Sequence, residues 1–595
     1  MSNTLDPREE YTRRLHARLS EAANQFRRFR RVGFVRLGFL ALIVVLLLVW
    51  AFTGFSFWWA FVGLIGFLAL VPLQQNIAAA RRRCERSADL YRNGLERLDD
   101  NWVGKGSTGE RFVSASHPYA EDLDLFGTGS LFELLCRART RVGENTLAQW
   151  LLIPSSTAVV HSRQAGVDEL RSRVDLREDL ALLAEGIHSG SDARVLIEWA
   201  AASPWSISKG LRFVSFALAV LSFGGLILWL VGFGALPFLL TLIASQLFAF
   251  RFRDHVQGVI SSVDLPAKDL QLMFEVLRRI EQERFESPRL VELRSELDVD
   301  GLSPSQQIAR LKRLIELLDS RRNLFFAPIA FVLLWPLQCA IAIELWRQKS
   351  GPTVARWFAA VGEIEALSSI AGYAFERPDD PFPELVDEAA CFIAQDLGHP
   401  LIPETRNVRT SLQLGSQPSV LIVSGSNMSG KSTLLRSVGT NTVLALAGAP
   451  VRAGSLRLSN LQVGASIRIQ DSLQAGASRF YAEITRLRQI VDLTKDSLPV
   501  LFLLDEILHG TNSHDRRIGA QGVVRGLVER GSIGLITTHD LALTEIVQSM
   551  DSRALNVHFE DHLEHGKMSF DYVLRSGVLQ KSNALELMRS VGLEI

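Results

Sequence analysis

Cysteine is scarce in this chain: its 595 residues include four cysteines, none of them in a C-x-x-C pair. A disulfide framework and a structural zinc site both need closely spaced ligands, so the sequence argues against both and for a reducing compartment. Net charge is absent as well, because 64 basic residues balance 64 acidic ones. This balance excludes a protein that coats nucleic acid through bulk positive charge, although it is compatible with a local basic patch.

Charged residues are missing altogether from two long runs, Leu37–Ala80 with 44 residues and Phe213–Phe250 with 38 residues. Two helices of about 20 residues each would cross about 30 Å of hydrocarbon. Thr53 and Gly54 offer a turn within the first run, and Gly232 lies near the middle of the second, which predicts a short return helix. The two runs therefore predict two transmembrane helical hairpins in contact with the lipid bilayer.

Basic residues are concentrated beside these runs. Residues 1–36 hold nine arginines against four acids, and three arginines at 81–83 follow the first run. Lys209 precedes the second run and Arg251 follows it. Positive charge on both sides of each hairpin predicts a multi-pass protein of the inner (plasma) membrane, with the segments outside the hairpins in the cytoplasm. Nucleic-acid contact is the alternative role for these arginines.

The stretch 418–433, PSVLIVSGSNMSGKST, places a short apolar run before Gly425 and a helical pattern over 434–446. Its spacing fits G-x-x-x-x-G-K-[ST] between a strand and a helix, the context that a phosphate-binding loop requires. Backbone N–H groups would bind the phosphates of ATP, Lys431 would reach the terminal phosphates, and the Ser432 hydroxyl would ligate Mg²⁺. The predicted ATP-binding residues are Gly425, Ser426, Asn427, Met428, Ser429, Gly430, Lys431, Ser432 and Thr433.

A second apolar run, PVLFLLDEILHG at 499–510, contains Asp505 and Glu506 directly after five apolar residues. A buried parallel strand delivers such residues to the carboxyl edge of a sheet, where open α/β sheets bind ligands. We expect Asp505 to coordinate Mg²⁺ through water and Glu506 to polarise the water that attacks the γ-phosphate. The alternative is an acidic strand end that caps the next helix.

A third strand is predicted over 532–537, and it runs into Thr537-Thr538-His539-Asp540. A histidine at the carboxyl end of the same sheet can sense the γ-phosphate or position water. We therefore assign His539 a catalytic role beside Glu506, with a purely structural histidine as the alternative.

Together these motifs resemble the ATPase domain of the MutS mismatch-repair family, within the ABC-type ATPases. The loop GSNMSGKST is similar to that family's G-P-N-M-[GA]-G-K-S-T, and DEILHGTNSHD (505–515) parallels its D-E-I-G-R-G-T-S-x-x-D. The segment 471–483, DSLQAGASRFYAE, resembles the family's signature G-x-S-T-F-x-x-E, with Arg479 in place of the threonine. In ABC-type dimers this segment reaches the partner's γ-phosphate. The resemblance thus implies a homodimer in which Gly476 and Ser478 complete the site of the second copy.

The resemblance is weaker upstream. Residues 129–154 resemble the start of the MutS helical core, and His399-Pro400 resembles the pair that opens the ATPase domain. Near the adenine the chain departs from the family, since 407–410, NVRT, stands in place of a V-P-N-D-like stretch. The F-x-E wedge with which MutS detects mismatches has no counterpart, because the one F-x-E, at 382–384, lies just before the ATPase domain.

These features predict an α/β P-loop ATPase domain of ABC type, an all-α domain like the MutS core, and the two hairpins. A third uncharged run, Asn323–Ile343, would place the ATPase domain outside the cell if it crossed the membrane. We therefore expect it to form a buried or membrane-adjacent helix. The predicted segments are a basic cytoplasmic N-terminal helix (1–36), hairpin 1 (37–80), a MutS-core-like helical segment (81–208), hairpin 2 (209–253), a helical lever (254–394) and the ATPase domain (395–595).

The function expected from this arrangement is ATP hydrolysis in a dimeric composite site on a membrane-anchored protein. The resemblance implies a role in DNA mismatch repair through binding of mismatched or branched DNA, and DNA is the partner it suggests. The alternatives are an ATP-driven membrane motor and a nucleotide-dependent scaffold, each with a protein client. The spans contain almost no polar or charged residues of the kind that transport requires, which favours an anchor.

Overall fold

The computed structural model describes residues 6–54, 56, 58–184, 193–203, 205, 207–298, 301–426, 428–468, 479–509, 511–564 and 567–579. The part before residue 377 is helical, and the part after it is mixed α/β. The helices of the first part are α1 Pro7–Thr53, α2 Trp58–Leu98, α3 Leu131–Leu135, α4 Arg141–Leu152, α5 Thr157–Ser172, α6 Val174–Ala184, α7 Ala193–Ala201, α8 Lys209–Leu230, α9 Leu236–Arg251, α10 Arg253–Glu281, α11 Pro288–Leu297, α12 Pro304–Asp319, α13 Ala327–Val332 and α14 Trp335–Glu376.

The second part alternates strands and helices. Its elements are β1 Glu384–Val386, β2 Phe392–Leu397, β3 Thr410–Leu414, β4 Val420–Ser424, α15 Lys431–Ala447, β5 Ser455–Ser459, β6 Gln462–Ser466, α16 Arg479–Leu493, β7 Val500–Asp505, α17 Ser513–Glu529, β8 Ile533–Thr538, β9 Ala554–Glu564 and β10 Lys567–Ser576. The predicted mixed fold, mostly helical with an α/β region at its C-terminal end, is thereby confirmed.

Helices α1 and α2 pack side by side as a long hairpin. Helix α1 starts at Asp6, whose side chain accepts a hydrogen bond from the Arg8 N–H, and it ends at Gly54, which has a φ of 70°. Because α1 is one continuous helix of 47 residues, the predicted boundary at residue 36 marks a change of composition and not a break. The boundary at residue 80 likewise falls inside α2.

The apolar helices differ in length. Within the described residues, three helices are long and apolar enough to cross a membrane, namely α1, α2 and α8. Helix α9 has 16 residues and meets α10 at a bend of 65°, and it is a fourth candidate when combined with residues 253–263. Buried hydroxyls of Ser222 and Ser245 hydrogen-bond across the α8–α9 pair at 2.7 Å. The second apolar run thus forms the predicted hairpin with a shorter return helix.

Helix α14 is the axis of the helical part. Nearly all of its side chains from Val354 onward are buried, Trp357 and Leu367 completely. The helices with the most extensive packing against it are α4, α5, α7, α10, α11 and α12. The start of α14 packs against the second hairpin through Leu334, Leu337 and Ile341. The third uncharged run is therefore divided between α13 and α14 and lies against a candidate membrane span.

Two sheets build the C-terminal part. The six-stranded sheet has the order β10-β9-β4-β8-β7-β6, with β9, β4, β8, β7 and β6 parallel and β10 antiparallel. The smaller sheet has the order β1-β5-β2-β3. Buried apolar strands give the larger sheet its core, as expected for parallel strands covered on both faces. The predicted strands at 420–423, 500–504 and 532–537 correspond to β4, β7 and β8.

A buried carboxylate, Glu376 at the end of α14, ties the first hairpin to the helical core. It accepts hydrogen bonds from Tyr11 in α1 at 3.2 Å, from Arg97 in α2 at 2.7 Å and from Arg137 after α3 at 2.6 Å. Burial alone would raise the pKa of Glu376, but Arg137 and Arg97 outweigh it and lower the pKa to about 2. The carboxylate is therefore charged in the folded protein at any working pH.

Replacing Glu376 by Gln should destabilise the protein by about 3–5 kcal/mol, because the buried Arg97 and Arg137 would lose their counter-charge. The expected result is a lower thermal unfolding temperature at pH 7 in detergent. Because the folded pKa lies below the ordinary 4.5, the stabilisation is present above about pH 4.5 and is lost as the pH falls towards 2. The matched control is Asp99→Asn, since the Asp99 partner of Arg8 is half exposed and contributes about 0–1 kcal/mol. Equal unfolding temperatures for the two variants would contradict the role of Glu376.

Candidate functional site

The loop between β4 and α15 has the shape of a phosphate-binding cradle. Gly430 caps α15 with a φ of 99°, a conformation that favours glycine, and a Cβ added to Gly425 would lie 2.7 Å from the Ser429 hydroxyl. The Lys431 ammonium donates to the carbonyl oxygens of Gly425 at 2.9 Å and Ser426 at 2.8 Å. Burial lowers the pKa of Lys431, and Glu506 and Asp505 oppose that shift.

Two buried hydroxyls in this loop have no hydrogen-bond partner among the described residues, those of Ser426 and Ser429. A buried polar group without a partner is costly unless a ligand or water satisfies it. The loop also begins a helix of 17 residues, whose N-terminus carries partial positive charge. Both observations fit an anionic ligand at this place.

The Asp505 carboxylate lies at the end of β7 and is held from two sides. The Ser432 hydroxyl donates to Asp505 Oδ2 at 2.5 Å, and the Thr537 hydroxyl donates to Asp505 Oδ1. The strand register aligns Asp505 with Thr537 on neighbouring β8, which explains the second contact. A hydroxyl and a carboxylate side by side form the hard-oxygen set that Mg²⁺ prefers. The two residues predicted as metal ligands, Ser432 and Asp505, are thus in direct hydrogen-bond contact.

Glu506 follows Asp505 with a φ of 48°, and its N–H donates to the carbonyl oxygen of Thr537 at 3.2 Å and to its hydroxyl at 3.1 Å. Its carboxylate lies 3.2 Å from Nδ1 of His539 and 4.0 Å from the Lys431 ammonium. The predicted pair of Glu506 and His539 is thus brought together. The next helix, α17, is capped by Asn512 instead, so the alternative role of the acidic pair as a helix cap is wrong.

The structure adds His509, which the sequence analysis did not select. Its ring centroid lies 5.2 Å from that of His539, and ligand atoms of Glu506, His509 and His539 lie within 4.8 Å of one another. Two imidazoles and a carboxylate suit Zn²⁺ better than Mg²⁺. The available signal was the departure from the MutS pattern, where DEILHG has Leu-His in place of Gly-Arg.

These groups open onto a cavity of about 1090 Å³. Its floor is formed by Met428, Gly430, Lys431, Ser432 and Thr433, with Asp505, Glu506 and His509 on one side. A more apolar part of the lining comes from the segment before β3 and from strands β9 and β10. This apolar wall contains Leu401, Ile402, Pro403, Val408, Phe559, Phe570 and Tyr572.

Asn407 lies in the stretch 407–410, which differs from the MutS pattern near the adenine. Its side chain makes hydrogen bonds within the protein. Its side chain accepts from the His399 N–H at 3.0 Å and donates to the His399 carbonyl at 3.1 Å. Burial lowers the pKa of His399 to about 4, so this histidine is neutral. Asn407 therefore stabilises the loop between His399 and β3. The apolar part of the cavity lining is the surface available to a nucleotide base.

Three predicted site residues, Asn427, Gly476 and Ser478, lie outside the described residues. Helix α16 begins at Arg479 inside the signature segment and contacts the loop after Glu506, since the buried Glu483 carboxylate accepts a hydrogen bond from the Leu508 N–H. Helix α16 and the loop that follows Glu506 are thus in direct contact within one copy.

Asp122 and Asp124 connect this site to the helical part. Asp122 is buried and accepts from the backbone N–H groups of Ile467 and Arg468, both at 2.7 Å. Asp124 pairs with Arg468 at 2.6 Å and with Arg436 of α15 at 3.4 Å. The loop before α3 is therefore fastened both to the phosphate-loop helix and to the end of β6.

Comparison with known proteins places residues 421–594 in the family described as MutS domain V. The chain is 34% identical over 197 residues to "Endonuclease MutS2" of Thermus thermophilus, which is 33% of this chain and 25% of that protein. It is 35% identical over 182 residues to "DNA mismatch repair protein MutS 2" of Haloarcula marismortui, 30% of this chain and 18% of the relative. It is also 30% identical over 239 residues to "DNA mismatch repair protein MutS" of Aquifex pyrophilus, 39% of this chain and 27% of the relative.

The chain thus spans about a quarter of these relatives or less. The family match covers the phosphate loop and both acidic residues, which line the cavity, and His539, which contacts Glu506. Residues 421–594 are therefore a MutS domain V, and this is the part of the chain that resembles the MutS-family relatives.

Proposed function

We propose that this protein is a membrane-anchored ATP hydrolase whose composite site is completed by a second copy. The observation that carries the proposal is the convergence of Lys431, Ser432, Asp505 and Glu506 on one cavity, with His539 in contact with Glu506. These residues come from the ends of two neighbouring parallel strands, β7 and β8, and from the start of α15, the arrangement in which P-loop proteins bind nucleotides.

Nucleotide binding would use the loop 425–433. The unpartnered hydroxyls of Ser426 and Ser429 and the N-terminus of α15 favour phosphate oxygens. Lys431 is already directed at the loop, and a phosphate would replace the two carbonyl oxygens that it contacts. The apolar wall with Ile402 and Tyr572 offers a surface for the base.

Ser432 and Asp505 would hold Mg²⁺, which supplies neutralisation of phosphate charge when it is bound. For the chemical step, Glu506 would accept a proton from a water whose oxygen attacks the γ-phosphorus, while the bond to the β-phosphate oxygen breaks and ADP leaves. His539, at 3.2 Å from Glu506, would orient that carboxylate and donate to the γ-phosphate. Thr537 fixes both acidic residues, because its hydroxyl contacts Asp505 and the Glu506 N–H.

The composite site is supported by the resemblance of the signature segment, in which Gly476 and Ser478 would face the partner's γ-phosphate. The hydrogen bond between Glu483 and the Leu508 N–H links this segment to the loop after Glu506 in its own copy. Binding of ATP would therefore close the dimer, and hydrolysis would release it. The homodimer is the simplest arrangement, since one chain supplies both halves.

Membrane anchoring is supported by the candidate spans α1, α2 and α8 and by the bent pair α9–α10. Their large apolar side chains face outward, as with Ile65 at 65% and Leu221 at 57% exposure. Such surfaces are costly in water and favourable in hydrocarbon. The arginines at the ends of the hairpins support a cytoplasmic ATPase domain at the inner membrane.

A role with DNA, in mismatch repair or on branched DNA, is suggested by the names of the relatives, which include an endonuclease and DNA mismatch repair proteins. The second candidate is an ATP-driven motor or scaffold with a protein client. A membrane anchor is compatible with both the DNA role and the protein-client role. A measurement of DNA binding distinguishes these two functions.

Glu506→Gln should leave ATP binding intact and lower the ATPase rate by about 10²–10⁴-fold, because the amide cannot accept the proton. The variant should accumulate as an ATP-bound dimer, measured by light scattering after size exclusion in detergent. Glu529→Gln, an exposed residue at the end of α17, is the matched control and should behave like the wild type. Hydrolysis at the wild-type rate by Glu506→Gln would show that the catalytic assignment is wrong.

Thr537→Val should lower the ATPase rate by about 10–100-fold, because it removes the hydroxyl that orients Asp505 and Glu506 while preserving shape. Thr537→Ser keeps the hydroxyl and should restore most of the activity. The control is Thr442→Val in α15, whose buried hydroxyl donates only to its own helix at Val438. The positioning role is refuted if Thr537→Val and Thr442→Val lose the same fraction of activity and shift the Mg²⁺ requirement equally.

If DNA is the partner, the full-length protein in detergent should bind branched or mismatched duplex more tightly than matched duplex. The logarithm of its binding constant should fall with the logarithm of salt with a slope of about −0.9 per phosphate contact. A fluorescence anisotropy titration with and without ATP measures both quantities. A flat salt response, or no binding with ATP present, would argue for the protein client.

A further inference from the structure

An apolar groove of about 800 Å³ lies beside the second hairpin. It is enclosed by the end of α9, the start of α10, and the junction of α13 and α14. Its walls are mostly hydrocarbon, including Ala249, Phe250, Val256, Ala330, Phe331 and Leu337. The polar residues of the lining are two glutamines, Gln246 and Gln257, and two arginines, Arg253 and Arg321. The groove therefore combines an apolar interior with two guanidinium groups.

The segment that forms one wall of this groove also presents large apolar side chains outward. Asn323 makes a turn in which its side chain accepts from the Phe325 N–H at 3.0 Å, and Leu324 and Phe325 are 83% and 89% exposed. One turn later Ile329 and Phe331 are about half exposed. A water-soluble surface rarely displays so compact an apolar patch without a partner.

The patch is held rigidly in place. The Gln246 side chain in α9 donates to the Phe331 carbonyl at 3.0 Å, and the Trp335 indole N–H donates to the Leu317 carbonyl at 2.5 Å. The helical conformation is interrupted between α13 and α14 at Leu334, which has a φ of 51°. A helix of six residues is about 9 Å long, so α13 is too short to cross a membrane.

The depth of the patch follows from its contact with α9. Gln246 precedes Arg251, the last residue of α9, by about 7.5 Å along the helix axis at 1.5 Å per residue. Interfacial helices bury their apolar faces by about 5–10 Å below the headgroups. With Arg251 at the cytoplasmic membrane surface, α13 and the turn before it lie at that depth.

We propose that residues 323–336 lie in the cytoplasmic leaflet and that the groove binds one anionic phospholipid. An acyl chain would occupy the apolar interior, and the phosphate would bind Arg253 and Arg321. Neither guanidinium has an ion-pair or hydrogen-bond partner among the described residues, so the charge complementarity favours an anion at this place. The inference rests on the membrane anchoring proposed above and adds a specific lipid site to it.

A depth measurement in lipid nanodiscs tests the placement of the segment. Single cysteines at Phe325, Leu221 and Val291 carry an environment-sensitive fluorophore, and the wild-type chain labelled in parallel gives the background of the four native cysteines. Phe325→Cys should be quenched most by lipids with a nitroxide near the headgroup. Leu221→Cys, in the middle of α8, should be quenched most by a deep nitroxide. Val291→Cys, exposed on α11, should respond to neither.

The outcomes separate the two proposals. If Phe325→Cys behaves like Val291→Cys while Leu221→Cys is quenched, the anchor holds and the lipid patch is wrong. If Leu221→Cys is not quenched either, the membrane anchoring itself is wrong and the lipid site falls with it. Quenching of Phe325→Cys by the deep nitroxide would also overturn the interfacial placement.

Retention of lipid tests the two arginines. Native mass spectrometry of the full-length protein should show retained phosphatidylglycerol in preference to phosphatidylcholine. Arg253→Gln and Arg321→Gln should each lower that retention by about fivefold, the equivalent of about 1 kcal/mol per basic residue near an anionic lipid. Arg310→Gln, on the exposed surface of α12, is the control. An unchanged lipid preference in the double variant, or a second protein copy held at the groove instead of lipid, would refute the site.

Discussion

The Asp505 carboxylate accepts one hydrogen bond from the Ser432 hydroxyl at the start of α15 and another from the Thr537 hydroxyl at the end of β8. The rest of the site is arranged around these two hydrogen bonds. They exist because β4, β8 and β7 are adjacent and parallel, with Asp505 level with Thr537 and Ser424 level with Thr538. A slip of one residue in either pairing would turn one partner to the other face of the sheet. The chemistry of the site thus depends on strand register before it depends on any side chain.

The parts of the site that the sequence predicted are those encoded locally. A phosphate loop, an acidic pair after an apolar strand and a histidine after the next strand each occupy a few consecutive residues, and β4, β7 and β8 occur where the pattern placed them. The two apolar hairpins could also be predicted from local sequence, because the absence of charge over a long run is visible without any knowledge of packing. Helix α1 shows where local prediction of segment boundaries fails, because its composition changes near residue 36 while the helix continues to Thr53.

The parts that could not be predicted depend on contacts between distant segments. Tyr11 and Glu376 are separated by 365 positions, and no local pattern reveals that a carboxylate at the end of α14 will meet a residue of α1. The apolar wall of the cavity has the same origin, because Phe570 and Tyr572 reach it from an antiparallel hairpin that carries no motif. His509 was visible in the sequence, but only its proximity to His539 gives it meaning.

Ion pairs and one short chain segment connect the phosphate-loop helix to the first apolar hairpin. Arg436 in α15 meets Asp124, the chain from Asp124 leads through α3 to Arg137, and Arg137 shares Glu376 with Arg97 of α2. Charged partners that are largely buried hold discrete geometries, because leaving either one unpaired is costly. In the membrane-anchored arrangement proposed above, this connection would restrict how the ATPase domain is oriented above the bilayer. Two copies confined to one membrane and similarly oriented meet at a higher effective concentration than two free copies, which favours the composite site that hydrolysis would need.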